Sequence, residues 1–174
     1  YRKDGSTWST LVETLNSVKK QSYENWKIIL VGDAYEDEEE FKLYNDVIPK
    51  NKMTAINLSR SVERDLYYNK IKNFNNELVL EKMHHLWCVA GATASNFGIQ
   101  VLKDLGINYF CQLDHDDIWY GNHLELNYYA YTEFGDIDFT YSKALVGTTR
   151  QMICPPFEGE EIFHKNQVPP APGG

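Results

Sequence analysis

Cysteine is scarce in this chain. Cys88, Cys111 and Cys154 are the only three in 174 residues, and no two stand in a C-x-x-C pair. That excludes zinc-ribbon and dithiol redox chemistry, and an odd, widely spaced set points to a reducing, cytoplasmic setting. No apolar run approaches the roughly 20 residues that a membrane span requires, and no signal peptide is visible at the start. The chain opens at Tyr1 without a methionine, so it is expected to be a fragment of a longer protein. Basic residues are outnumbered 17 to 25, which leaves a net charge of −8. Nucleic acid is therefore not an expected partner. There is no glycine-rich phosphate loop either, so a phosphorylated ligand would need a cation or local basic groups to offset repulsion.

What is present is a globular composition. Hydrophobic residues make up 43% and aromatics 14%, enough for a single domain over 1–174 with its own core. Trp8, Leu11, Leu15 and Val18 recur at helical spacing, with Ser6 or Thr7 as cap. Gln21 to Asn25 is a polar break. Trp26 to Val31 reads as a buried strand ending at Gly32-Asp33. The run Glu36 to Glu40 opens a surface helix with an acidic first turn, ended by Pro49, and is assigned no chemistry. Met53 to Leu58 reads as a strand. A helix is possible around 63–73, and Gly91 to Leu105 is a helix stopped by Gly106. Ile107 to Leu113 reads as a further buried strand. Asn122 with Glu125 resembles a capping box for the next helix, and 138–141 and 144–146 read as strands. Helix and strand alternate, which predicts an α/β fold, a three-layer sandwich with a mainly parallel sheet.

Directly after the third predicted strand comes Asp114-His115-Asp116-Asp117. Carboxylates this close repel one another, and three readings account for them. The first is a site for Mn²⁺ or Mg²⁺, held by one or two carboxylates and completed by the phosphate oxygens of a diphosphate. The second is a calcium loop running from Asp114 to Glu125; it fails at the sixth position, where glycine is needed and Trp119 stands. The third is an acidic turn that caps the next helix. Asp33 ends an earlier strand at the same predicted sheet edge, where open α/β sheets bind ligands. The helix start Gly91 to Asn96 is either an anion site or a close packing contact.

The order of these pieces resembles the family-2 glycosyltransferases, which have the GT-A fold. Leu15 to Trp26 looks like their "SV-x-x-Q-(S/T)-Y-x-N" helix and turn, and Lys27 to Asp33 like their second strand. Ala94-Ser95-Asn96-Phe97-Gly98 matches part of an "A-R-N-x-G" helix. Leu113 to Trp119 matches "L-D-x-D-D-x-W", and Asp138 to Ser142 the following strand. The resemblance covers roughly 1–146. It implies sugar transfer from a nucleotide-sugar donor, usually UDP-linked, to a glycan, protein or lipid acceptor. It further implies that Asp116 ligates Mn²⁺ or Mg²⁺, with Asp114 on the ribose or the metal shell. Asp33 would hydrogen-bond the uracil base and Tyr1 would stack on it. Asn96 and His115 would lie on the donor side.

The departures are specific. The family's first strand would precede Tyr1. Gly32 stands where the first of two aspartates is usual, a change expected to matter little, and Ser95 replaces an arginine. The catalytic base is not identified: Glu158, Glu160 and Glu161 are the only acids after Asp138, and no motif singles one out. Two alternatives therefore stand beside an inverting transferase, namely a nucleotide-sugar-binding module without turnover and a sugar nucleotidyltransferase.

Overall fold

The structure is a computed structural model that describes residues 6–63, 65–66, 91–140, 142, 144–146 and 151–153. Tyr1, Glu158, Glu160, Glu161 and most of the possible helix at 63–73 lie outside the described residues. The chain packs as two compact units, Tyr1–Lys19 with Asn25–Ile118, and Lys20–Glu24 with Trp119–Gly174.

In the first unit, helix α1 (Ser6–Lys19) turns Leu11, Leu15 and Val18 inward, as their spacing predicts. Strand β1 (Ile28–Gly32) pairs in parallel with β2 (Met53–Asn57), Ile28 opposite Met53 and Gly32 opposite Asn57. Helix α2 (Glu38–Leu43) lies between them in sequence. Its N-cap is Asp37, whose Oδ1 accepts from the Glu40 amide at 2.9 Å, and Glu38, Glu39 and Glu40 fill the first turn, where the helix dipole favours them. A 3-10 turn, Tyr44–Asp46, follows, so α2 ends well before Pro49. Phe41, Tyr44, Ile48 and Met53 complete the core with Leu11, Leu15 and Tyr35. Trp8 stacks on Tyr44 with centroids 4.8 Å apart, and the Lys52 ammonium sits 4.2 Å over the Trp26 ring.

Helix α3 (Ala92–Asp104) packs on β1: a side chain at Gly98 would already touch Val31 at 3.4 Å. Its end is a Schellman motif. The Ile107 amide bonds the Leu102 carbonyl and the Gly106 amide the Lys103 carbonyl, with Gly106 at φ +68°. Gly106 therefore stops the helix where the sequence places the stop.

In the second unit, α4 (His123–Phe134) buries Ala130, and strands β3 (Ala144–Val146) and β4 (Gln151–Ile153) pair antiparallel. With helices and a parallel strand pair, the chain is α/β.

Two strand expectations fail. Ile107 to Leu113 belongs to no strand, and Ile107, Tyr109 and Phe110 are about half exposed. Residues 138–140 form no strand, and Tyr141 lies outside the described residues. Strand propensity reports a fit to a pleated, half-covered surface; with no ladder partner among the described residues, these runs form no strand.

The turn after β1 carries backbone strain. Ala34 has φ +54°, the left-handed region that costs a side-chain-bearing residue about 1–2 kcal/mol. Glycine removes that cost but gives back about 0.4–1 kcal/mol through the unfolded chain. Ala34→Gly is therefore expected to stabilise by about 0.5 kcal/mol, a rise in Tm of roughly 1–2 °C by calorimetry for a chain of this size.

Candidate functional site

Asp33 follows β1 directly. Its carboxylate Oδ2 accepts a hydrogen bond from the Ser61 hydroxyl at 2.6 Å, and Ser61 is buried. The turn beyond it is clamped by Asn57 at the end of β2. The Tyr35 amide donates to Asn57 Oδ1 at 2.8 Å, while Asn57 Nδ2 donates to the Tyr35 carbonyl at 3.0 Å and to Glu38 Oε2 at 2.6 Å. Tyr35 in turn anchors its own hydroxyl on Glu40 and on Tyr44. Burial, then the Glu40 and Tyr44 hydrogen bonds, push that phenol far above its ordinary range. Glu38 and Glu40, read from sequence as a solvated face, are thus braces for the turn that carries Asp33.

Gly32 fits this arrangement only because it lacks a side chain. A Cβ there would stand 2.5 Å from Asn57 Oδ1 and 2.8 Å from Phe41 Cε2. The expectation that Gly32 in place of aspartate matters little is therefore corrected: the clamp occupies the space an aspartate would need.

Asp114 to Asp117 form one tight turn, closed by the Asp117 amide on the Asp114 carbonyl at 3.2 Å. The turn is tied down by α1. Buried Thr14 donates its hydroxyl to the His115 carbonyl at 2.9 Å. The side chains of Asp114, His115, Asp116 and Asp117 stay exposed, with His115 Nδ1 3.7 Å from Asp116 Oδ1. Partial burial, then the charges of Asp114 and Asp116, raise the Asp117 carboxyl above the usual carboxylate range, and His115 works against them. Among the described residues, no three His, Cys, Asp or Glu side chains stand close enough to hold a metal ion between them. The donor set still suits a hard divalent cation, which takes one or two carboxylates and completes its shell with phosphate and water oxygens. Such a charge would relieve the repulsion felt by Asp117.

The other expected donor residues are dispersed. Asn96 lies exposed on the second turn of α3. At that helix start one amide is already taken by the protein's own carboxylate. Glu63 Oε1 accepts from the Thr93 amide at 2.7 Å and from the Thr93 hydroxyl at 2.8 Å. Burial works to raise Glu63, but these bonds and its own backbone amide outweigh it and lower the carboxyl. Ser95 is the acceptor of a long 3.4 Å contact from Gln112 Nε2.

The predicted Asn122–Glu125 capping box does not form. Asn122 is the N-cap of α4 but makes no side-chain cap bond. Buried Gln21 supplies it instead: its Oε1 accepts from the Leu124 amide at 2.9 Å, and its Nε2 donates to the Tyr120 carbonyl at 2.7 Å. The Ser22 amide donates to the Gly121 carbonyl at 2.7 Å, the Ser22 hydroxyl donates to Glu125 Oε2 at 2.6 Å, and Tyr23 stacks on Tyr128. The polar break is thus the cap and brace of the second unit's helix. One signal did point to Thr14: it is polar on the inward stripe of Leu11, Leu15 and Val18. Gln21, Asn57 and Ser61 carry no comparable local mark.

His123 stacks on Trp119, centroids 4.5 Å apart, and burial lowers its pKa. The unfolded chain then binds a proton that the folded one resists, so stability is present above the ordinary histidine value near 6.5 and is lost as pH falls through it. Tm measured from pH 7.5 to 5 is expected to fall, and His123→Gln to flatten that slope.

Over 172 residues the chain is 35% identical to a protein of Acanthamoeba polyphaga mimivirus named as an uncharacterized glycosyltransferase. The chain is similar to a glycosyltransferase. The match takes in 97% of this chain and 64% of the viral protein, so the chain spans just under two thirds of that relative's length. No protein-family profile matches the chain, and no solved structure does. Among the described residues, no helix is long and apolar enough to cross a membrane.

Proposed function

We propose that the chain is the donor-binding part of an inverting, metal-dependent glycosyltransferase of the family-2 type, with the three-layer GT-A arrangement, that takes sugar from a UDP-linked donor. The observation that carries this reading is the 35% identity, along 97% of the chain, to a protein named as a glycosyltransferase. The acidic turn held by Thr14 supports it chemically, since its carboxylates suit a cation shared with a diphosphate. Asp116 and Asp114 would hold Mn²⁺ or Mg²⁺, which when bound supplies positive charge against the diphosphate leaving group. Asp33 takes the uracil base and Tyr1 stacks on it; Asn96 and His115 face the donor. Deprotonating the acceptor hydroxyl requires a base, and we assign that role to no residue of this chain.

Calorimetric titration with UDP tests the reading. Binding is expected with Mn²⁺ and is expected to weaken at least about tenfold when the metal is chelated, the loss of roughly 1.4 kcal/mol or more of charge neutralisation. Asp116→Ala is expected to abolish the metal-dependent gain. UDP affinity indifferent to metal would refute the metal assignment, and no UDP binding at all would refute the donor. Release of UDP from a panel of UDP-sugars separates a transferase from a module that binds without turnover.

A further inference from the structure

Thr14 stands among Leu11, Leu15 and Val18 on the buried side of α1, and at 4% exposure it is as deep as they are. A threonine in a helix ordinarily bonds a carbonyl three or four residues back. Thr10 does so with Thr7, and Thr132 with Tyr128 and Tyr129. The Thr14 hydroxyl instead donates to the His115 carbonyl at 2.9 Å, 101 residues on. A hydroxyl that leaves water must find a partner, and this one finds it in the middle of the acidic turn. The Asp114 carbonyl is already held by the Asp117 amide at 3.2 Å. Both peptide groups between Asp114 and Asp116 are therefore fixed, and with them the backbone positions from which those two carboxylates project. Without such restraint, the carboxylates of Asp114, Asp116 and Asp117 would drive the turn open by mutual repulsion.

We propose that Thr14 is a positioning residue for the cation: by fixing the His115 carbonyl it keeps the Asp114 and Asp116 carboxylates together before the metal arrives, and so sets the metal's affinity. The inference rests on the reading of Asp114 and Asp116 as the pair that holds Mn²⁺ or Mg²⁺. Ligands already in place bind more tightly, because less ordering and less repulsion remain to be overcome at binding. A helix is a firmer anchor for this purpose than a neighbouring loop, since its own hydrogen bonds fix the residue that does the holding. Thr14 therefore acts on the metal through the backbone of the turn, and its methyl group, packed beside Leu11 and Leu15, has no part in the effect.

The test is calorimetric titration of the full chain with UDP, in Mn²⁺ and in chelator, with folding followed by Tm. The ratio of the two affinities is the metal-dependent gain. Thr14→Val is nearly the same shape without the hydroxyl. It is expected to shrink the gain about three- to tenfold, the scale of one hydrogen bond, while leaving the affinity in chelator unchanged. Amide exchange gives a second readout: Asp117 is expected to exchange faster in Thr14→Val than in wild type before metal is added. Thr14→Ser keeps the hydroxyl and sheds the methyl, so it is expected to lower Tm and retain the gain. A merely structural threonine behaves otherwise. Thr14→Val would then lower Tm and both affinities together, with the gain preserved, and that result overturns the proposal. A gain lost equally in Thr14→Ser overturns it too, because packing rather than the hydroxyl would be the cause. Should Thr14→Val fold poorly, Thr14→Ala set against Thr14→Ser decides, since those two differ by the hydroxyl alone; equal gains in that pair are equally fatal. A wild type with no metal-dependent gain overturns the metal reading and this inference with it, whereas a wild-type gain that Thr14→Val preserves overturns this inference alone.

Discussion

Gly32→Asp, which restores the aspartate usual in the resembled family, lowers Tm by roughly 4–16 °C, the equivalent of about 2–4 kcal/mol. The first part of that cost is steric. A Cβ at this position stands 2.5 Å from Asn57 Oδ1 and 2.8 Å from Phe41. Phe41 is a core residue with nowhere to withdraw, and forcing atoms into a packed core costs about 1–3 kcal/mol. Asn57 can swing away only by giving up its bonds to the Tyr35 amide, the Tyr35 carbonyl and Glu38, each of about 1 kcal/mol. Gly32→Ala isolates the Cβ and is expected to keep most of the loss. Thermal unfolding of both variants checks the claim: if Ala were neutral and only Asp destabilised, charge rather than space would be the cause.

Gln21→Ala is expected to destabilise by about 2–4 kcal/mol. The side chain is buried and bonded at both ends of its amide. Losing the cap on the Leu124 amide costs about 1 kcal/mol, losing the bond to the Tyr120 carbonyl, which still accepts from the His123 amide, costs about 0.5–1.5 kcal/mol, and the rest is the lost packing of a buried side chain. Gln21→Met retains the volume without the polar ends, and is expected to recover only the packing share. Amide hydrogen exchange reports the site itself: Leu124 should exchange much faster in both variants. Protection at Leu124 equal to wild type would mean that Gln21 does not cap this helix.

The elements that could be read in the sequence were those whose signal is local. Leu11, Leu15 and Val18 mark α1 because their period belongs to the helix alone, and Gly106 marks the end of α3 because left-handed backbone is cheap only for glycine. Ile107 to Leu113 misleads for the opposite reason. Its isoleucine, tyrosine, phenylalanine and leucine have strand character, but a strand is completed by a partner that the run itself does not name. β4, three residues long, is too short to show any period. Within the candidate site, the acidic turn was legible as a cluster, whereas its fastening was not. Thr14, Gln21, Asn57 and Ser61 act on residues 22 to 103 positions away. Asn122 and Glu125 had the right spacing for a cap and lost it to a better-placed amide from a hundred residues upstream.

That distance sets an order of assembly. Thr14 meets His115 across 101 residues, and Gln21 meets Tyr120 across 99. Closing a loop of such length costs about 4 kcal/mol of chain entropy, so neither bond can nucleate folding. The β1–α2–β2 core, whose register spans only Ile28 to Asn57, can form while the ribosome is still far from Asp114. The acidic turn is then a late acquisition, closing onto an α1 made a hundred residues earlier, and the cap of α4 waits in the same way on Gln21.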